Sequence, residues 1–363
     1  MVSLDVFRGI AIAGMLVVNN PGSWSYVYPP LAHAEWHGWT PTDLIFPFFL
    51  FIMGVAIPLA LGRRLARGDA RRAIWRHVVR RTFILFALGL FLNGFPHFDL
   101  PRIRIPGVLQ RIALCYFFAT LIVMKAKARW QAFAALALLA AYWAMLTLVP
   151  VPGYGAGVLT PEGNLAAYVD ARLLRGHLYR PTWDPEGILS TIPAIATTLF
   201  GALTAHWLTS PRTAREKVLG LIGAGIVGVA LGHAWDLWFP INKNLWTSSY
   251  AVFTGGMALL LLAACFWIVE MRGFRRPFIP FVIFGTNPIA VFVLSGLAAR
   301  AIAMSKIVRP DGTAISLKAY LYENLFASWA GPWKGSLFFA LAYTGVWLAP
   351  MALLYRKRIF IKL

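Results

Sequence analysis

The sequence predicts an all-α, polytopic membrane protein with about ten transmembrane helices and both termini in the cytoplasm. Three observations lead there. Of 363 residues, 59% are hydrophobic and only 13% charged, where soluble domains carry about 25% charged residues. Apolar runs recur at the length of about 20 residues that a helix needs to cross the hydrocarbon core. The Lys and Arg residues gather in alternate connections, as they do when short loops face the cytoplasm.

The runs lie at about 4–20, 42–62, 77–95, 106–124, 130–149, 188–208, 216–235, 247–270, 278–302 and 335–355, bounded by charge, Pro or Gly. The first stops at Asn19-Asn20-Pro21-Gly22, because Pro cannot continue a helix and Gly readily ends one. Ala32-His33-Ala34 has the spacing of a leader cleavage site, but no basic stretch precedes the run and Asp5 and Arg8 sit at its start. The run is therefore expected to be a retained helix. The second enters at Pro41. Arg63 to Arg81, then Lys125, Lys127 and Arg129, then Arg212, Arg215 and Lys217, then Arg272, Arg275 and Arg276, and finally Arg356, Lys357, Arg358 and Lys362 mark one side. The ninth run is interrupted by Gly285-Thr-Asn287-Pro288, whose freed backbone groups must face protein, a cavity or a ligand in lipid.

The whole chain, 1–363, reads as one transmembrane domain with long outer loops at about 20–41, 150–187 and 303–334. Within the last, Ser316 to Trp329 shows helical spacing suited to an interfacial helix. Several classes fall away. A net charge of +20 could suit nucleic acid only as a stripe on a solvated face; here the cations punctuate apolar runs. Cys115 and Cys265 both lie in apolar segments, so neither a disulfide framework nor a thiolate cluster is indicated. No Gly-rich phosphate loop supports ATP-driven transport.

Ionisable groups inside spans are costly and nominate sites or buried pairs. Asp5 and Arg8, three apart on one helical face, either pair or receive an anionic ligand. Gln110 and Arg111 at the entrance of the fourth run form a polar helix clamp or a ligand contact. The loop from His33 through Glu35 and His37 to Asp43 holds two imidazoles and two acids. That is a weak metal set, so no metal is expected; one imidazole oriented by a carboxylate serves better as a general base. Trp183-Asp184-Pro185-Glu186 and the cluster Asn242, Lys243, Asn244, Trp246 suit an amino sugar, with rings stacking and carboxylates holding an ammonium. Helix capping by Asp184 and Glu186 is the plain alternative.

At these residues a resemblance stands out. Ser3-Leu-Asp5-Val-Phe-Arg8-Gly9, Val18-Asn19, His33-Ala-x-Trp36-x-Gly38 and Asp43-Leu-Ile-Phe-Pro47 through Met53-Gly54 resemble the heparan-alpha-glucosaminide N-acetyltransferase family of transmembrane acetyltransferases. Arg104 to Arg111, Asp184 to Thr191, Asn242 to Ser248 and Gly285-Thr-Asn287 are similar to further blocks in the same order. The resemblance implies an enzyme that takes cytosolic acetyl-CoA and acetylates a glucosamine-type amine across the membrane.

It further implies that His33, in the His-Ala-x-Trp block, is the essential base, with Asn19 as an active-site carboxamide and Asp43 orienting the imidazole. Asp5, Arg8, Gln110, Arg111, Ser190 and Asn287 are then expected along the acetyl-CoA path, and Asp184, Glu186, Asn244 and Trp246 around the sugar. Departures are a missing N-terminal extension with its span and a longer loop between Asn19 and His33. Glucosamine or a short amino sugar is therefore the expected acceptor rather than polymeric heparan sulfate. The implied setting is a bacterial inner membrane, the implied assembly a homodimer, and nucleic acid is not a partner. A permease for amino sugars, without acyl transfer, is the competing reading, since many spans and a broken helix serve it equally.

Overall fold

A computed structural model describes residues 1–310 and 312–361; Lys362, counted above with the basic tail, lies outside them. Helices account for nearly all regular structure. In chain order they are α1 (Val2–Asn19), α2 (Ile45–Ala66), α3 (Arg71–Gly94), α4 (Val108–Lys125), α5 (Ala128–Leu148), α6 (Leu165–Leu173) and α7 (Thr191–Thr209). There follow α8 (Ala214–Asp236), α9 (Ser248–Phe266), α10 (Ile279–Thr286), α11 (Pro288–Met304), α12 (Leu317–Tyr322) and α13 (Ser328–Arg356). A two-stranded antiparallel hairpin, β1 (Lys306–Val308) with β2 (Ala314–Ser316), separates α11 from α12.

Each of the ten apolar runs is helical. Among the described residues seven helices are long and apolar enough to cross a membrane, and the pair formed by 276–286 and α11, bent by 76°, brings the number to eight. This makes the chain a multi-pass membrane protein. The two runs outside that set show why. The first half of α3 carries Arg71, Arg72, Arg76, Arg80 and Arg81, so its apolar stretch is short. Helix α7 is buried along most of its length and carries Thr at 191, 197, 198, 204 and 209; a helix that faces protein can hold hydroxyls a lipid-facing one avoids.

The chain divides into two compact units. The first comprises residues 1–34, 40–45 and, among the described residues, 268–361. Its centre is α1 against α10. A Cβ on Gly9 would overlap the Phe281 carbonyl, and one on Gly285 would overlap the Asp5 carbonyl, so both glycines are required for the two backbones to touch. The N-terminus of α1 is capped from far along the chain, the Glu270 carboxylate accepting from the Ser3 N–H and hydroxyl at 3.0 and 3.1 Å. The chain leaves α1 at Asn20, and Gly22 donates its N–H to the Ser336 carbonyl on α13. Helix α13 is kinked at Gly331 (φ 73°) ahead of Pro332.

The second unit holds residues 35–39 and 46–267. Paired glycines set its closest crossings too. Gly54 on α2 and Gly201 on α7 each face the other helix's backbone carbonyl, and Gly225, Gly228 and Gly232 on α8 face Gly256 and Phe253 on α9. Such stripes of small residues let van der Waals contact drive association where lipid supplies no hydrophobic force.

Candidate active site

In the first unit, a loop is shaped around one carboxylate. Pro29–Leu31 forms a 3₁₀ turn, the chain runs on to Thr40, and Pro41–Leu44 opens the helix that becomes α2. Thr40 and Asp43 form a capping box. One oxygen of Asp43 accepts the backbone N–H of Thr40 (3.0 Å), the backbone N–H of Ala34 (3.1 Å) and the Thr40 hydroxyl (3.2 Å). The other lies 2.7 Å from Nδ1 of His33. The carboxylate is 1% exposed and the imidazole 49%. A carboxylate so placed accepts the imidazole Nδ1–H, which leaves the Nε2 lone pair for proton transfer. Sequence spacing anticipates this contact, because both residues lie in one loop.

His37 belongs to the second unit. Its Nδ1 is 3.3 Å from the Asn242 carboxamide nitrogen. Burial pushes its pKa down, against the raising charge of Asp236, so it is held neutral.

The second unit also contains a buried polar cluster. Arg104 makes hydrogen bonds with both Asp184 oxygens, at 2.8 Å through Nε and 2.6 Å through Nη2, and pairs with Glu186. Burial works against the Arg104 charge, yet the hydrogen bonds and charges of the two acids outweigh it and raise its pKa. These acids are therefore committed to a guanidinium rather than presented to a sugar ammonium. Trp246, expected as a stacking surface, is 1% exposed. Its ring meets Arg111, Phe46 and Tyr250, and its N–H donates to the Thr197 hydroxyl. The indole is closed to a sugar by protein on several sides. Asn244 sits half-buried in the turn before α9.

Arg111, on α4, is the notable member. It is 1% exposed. Its Nη2 donates to the Gly187 carbonyl (3.1 Å) and contacts the Ser190 hydroxyl, while Nε and Nη1 have no hydrogen-bond partner. The amide nitrogen of its neighbour Gln110 is likewise buried without a partner. A buried unsatisfied donor costs about 1–3 kcal/mol, more when charged, so these N–H groups fit an oxygen-bearing ligand. Gly89 and Gly107 make room for the Gln110 side chain.

Asp170, on α6, was not singled out by sequence reasoning. It is buried, accepts the Ile188 N–H at 2.9 Å and packs where Gly187 lacks a side chain. Burial pushes its pKa up to about 7, the Asp184 charge adding to this and the Ile188 N–H and Arg111 opposing. Only Gly187, beside the Asp-Pro-Glu turn, hints at it in sequence, and nothing local says what that glycine faces.

Three expected ligand contacts of the first unit are engaged internally. Arg8 donates to Asp5 at 2.9 Å and to the Gly285 carbonyl at 3.0 Å, which realises the pairing alternative. Asn287, expected on the acetyl-CoA path, instead holds the tail: its amide donates to the Ile359 carbonyl (3.0 Å) and its oxygen accepts the Ile361 N–H (2.8 Å). Asn19 ends α1 with its side chain exposed, whereas Asn20 folds back on the Leu16 carbonyl. Among the described residues no group of three or more His, Cys, Asp or Glu could hold a metal ion.

Apolar helices with glycine crossings define a multi-pass membrane protein, in which one loop carries an imidazole–carboxylate pair and a buried guanidinium is half-satisfied. Comparison with known proteins makes this specific. The family described as "Heparan-alpha-glucosaminide N-acetyltransferase, catalytic" matches residues 1–233, and the chain belongs to that family. It is 30% identical to heparan-alpha-glucosaminide N-acetyltransferase of Homo sapiens over 423 residues, covering 99% of this chain and 59% of that protein. With the Mus musculus protein of the same name the identity is 28%, covering 99% and 60%. The chain thus spans about three-fifths of the length of these curated relatives.

Proposed function

We propose that this protein is an acetyl-CoA-dependent N-acetyltransferase that acylates the amine of glucosamine or a related amino sugar on the far side of a bacterial inner membrane. The His33–Asp43 dyad carries the reading. His33 Nε2 takes a proton from the sugar ammonium, and the neutral amine attacks the thioester carbonyl. The C–S bond breaks as the amide forms, and the second proton shed by the nitrogen passes to the leaving thiolate, the first going from His33 to solvent. Asp43 fixes the tautomer and stabilises the imidazolium. The Asn19 carboxamide is assigned to the developing oxyanion. Direct attack is preferred to an acetyl-imidazole intermediate, since a neutral amine is already a competent nucleophile.

The unpaired Nε and Nη1 of Arg111 suit an oxygen-bearing ligand such as acetyl-CoA. Its phosphates are assigned to the arginine-rich connection between α2 and α3. That connection, the termini and the other basic loops are placed in the cytoplasm by charge, and a homodimer is the proposed assembly. The permease alternative draws on the break between α10 and α11. There the Gly285 carbonyl is taken by Arg8 and the Asn287 side chain by the tail, so those groups are not offered to a transported solute.

Purified protein given acetyl-CoA and glucosamine should release free thiol in proportion to N-acetylglucosamine formed. His33→Ala should abolish release with helicity and melting unchanged, and Asn19→Ala should lower turnover about a hundredfold. No thiol release from wild type, or full activity in folded His33→Ala, refutes the proposal; transport without thiol release identifies a permease.

A further inference from the structure

The Trp246 ring expected to carry an amino sugar is enclosed, and Asp184 and Glu186 are held by Arg104. A second surface of rings and one acid stands in the same unit. Residues 35–39 form a short segment of it, fixed at two points. Gly38 donates its N–H to the Ile241 carbonyl at 2.7 Å, and the Trp36 indole N–H donates to the Leu159 carbonyl at 2.8 Å. The Trp36 ring meets Trp183 edge-to-face, with 5.1 Å between centres and 76° between planes. Both indoles are only half-buried. They therefore offer apolar surface that is already held in place, and ordering them costs a ligand little.

His37, whose ring lies 6.3 Å from that of Trp36, adds a directed polar group. The Asn242 side-chain oxygen accepts the Leu245 N–H at 2.9 Å, which turns the Asn242 amide toward Nδ1 of His37, 3.3 Å away. Nδ1 is then the acceptor, and the proton of the neutral imidazole sits on Nε2. Among the described residues that N–H has no hydrogen-bond partner. Glu35 is exposed and, among the described residues, enters no ion pair. Glu35 and His37 lie two and four residues beyond His33 in the chain. Indole faces suit the C–H surface of a pyranose, an N–H donor suits a hydroxyl, and a carboxylate suits an ammonium. A nucleotide would also stack on the rings, but Glu35 repels its phosphates.

We propose that Glu35, Trp36, His37 and Trp183 form the acceptor subsite. The two indoles stack on the apolar side of the pyranose, the His37 Nε2–H donates to a ring hydroxyl, and the Glu35 carboxylate holds the ammonium. This inference rests on amino-sugar acylation as the function.

Saturation-transfer NMR on the full chain tests it, with glucosamine and glucose as probes, no acetyl-CoA present and a detergent without a sugar headgroup. Wild type should transfer saturation to the ring C–H protons of glucosamine, and glucose should bind about threefold more weakly for want of the ammonium. Trp183→Ala should weaken binding of both sugars about fivefold. Glu35→Gln should bring glucosamine down to the level of glucose; Glu35 is exposed, so this change does not act through the fold. His37→Gln, whose amide N–H can stand where Nε2–H stands, should bind like wild type, and His37→Phe should bind more weakly. Trp130→Ala, at an exposed position of α5, should change nothing. In the thiol-release assay Glu35→Gln and Trp183→Ala should raise the KM for glucosamine and leave that for acetyl-CoA unmoved. Undiminished transfer in folded Trp183→Ala, or an unchanged preference for glucosamine in Glu35→Gln, overturns the subsite. Wild type that binds glucosamine in this way but releases no thiol refutes acyl transfer instead and leaves the subsite standing.

Discussion

Replacing Asp43 by Asn removes one charge from the loop and little else. The Asn oxygen can still accept the backbone N–H groups of Thr40 and Ala34, now 3.0 and 3.1 Å from the carboxylate, so the turn into α2 should form. The cost falls on His33. Its hydrogen bond to an ionised acceptor, at 2.7 Å, is worth about 1.5–3 kcal/mol, or about 10- to 150-fold in rate if it acts on the imidazolium of the transition state. The effect should exceed that range, because the new amide can donate to Nδ1 and so move the ring proton to Nε2, where the lone pair is needed. We expect kcat for thiol release to fall by more than about 150-fold with the KM for acetyl-CoA within about threefold. The double variant His33→Ala with Asp43→Asn should be no slower than His33→Ala alone, since residues that act as a unit are non-additive. Near-normal kcat in Asp43→Asn, or multiplied losses in the double variant, would refute the dyad.

Two further expectations concern stability. Burial pushes the Asp170 carboxyl up to about 7 from its ordinary 3.8. The folded protein therefore binds the extra proton between those values, and stability declines as pH rises from about 4 to 7, by up to about 4 kcal/mol. Asp170→Asn, which can still accept the Ile188 N–H, should flatten that part of the melting-temperature profile between pH 4 and 7; an unchanged slope would show that the carboxyl titrates normally. Asn287→Ala deletes two hydrogen bonds to the tail, each worth about 1 kcal/mol. Amide exchange at Ile361 should then accelerate about tenfold or more, with the thiol-release assay reporting whether the tail matters for turnover.

Properties that depend on neighbouring residues alone were readable in the chain. The apolar runs and the bend at Gly285 to Pro288 follow from side-chain transfer energy and from proline's missing N–H, and each run is helical, the ninth as two helices on either side of the bend. The His33–Asp43 contact was accessible for a related reason: ten residues of loop, closed by a capping box, leave the two few ways to avoid each other. Helix α3 begins at Arg71, ahead of the expected 77, because arginine is a good helix former and hydropathy marks only the apolar part. Helix α6 and the hairpin of β1 and β2 escaped notice, since short elements in polar loops carry little periodicity.

What the linear order could not decide was which polar groups spend their bonding capacity on one another. Asp184 and Glu186 look like ammonium ligands until Arg104, eighty residues away, is found between them. Asn287 looks like a ligand contact until the tail folds onto it. Trp246 looks like a sugar platform until Arg111 covers its face, and the same packing leaves two nitrogens of Arg111 without a partner. Composition and run length determined that this chain lives in a bilayer, because solvation is additive along a sequence. Tertiary structure alone decided which side chains remain open to a ligand, because a hydrogen bond or ion pair made across many residues satisfies a group as fully as a local one.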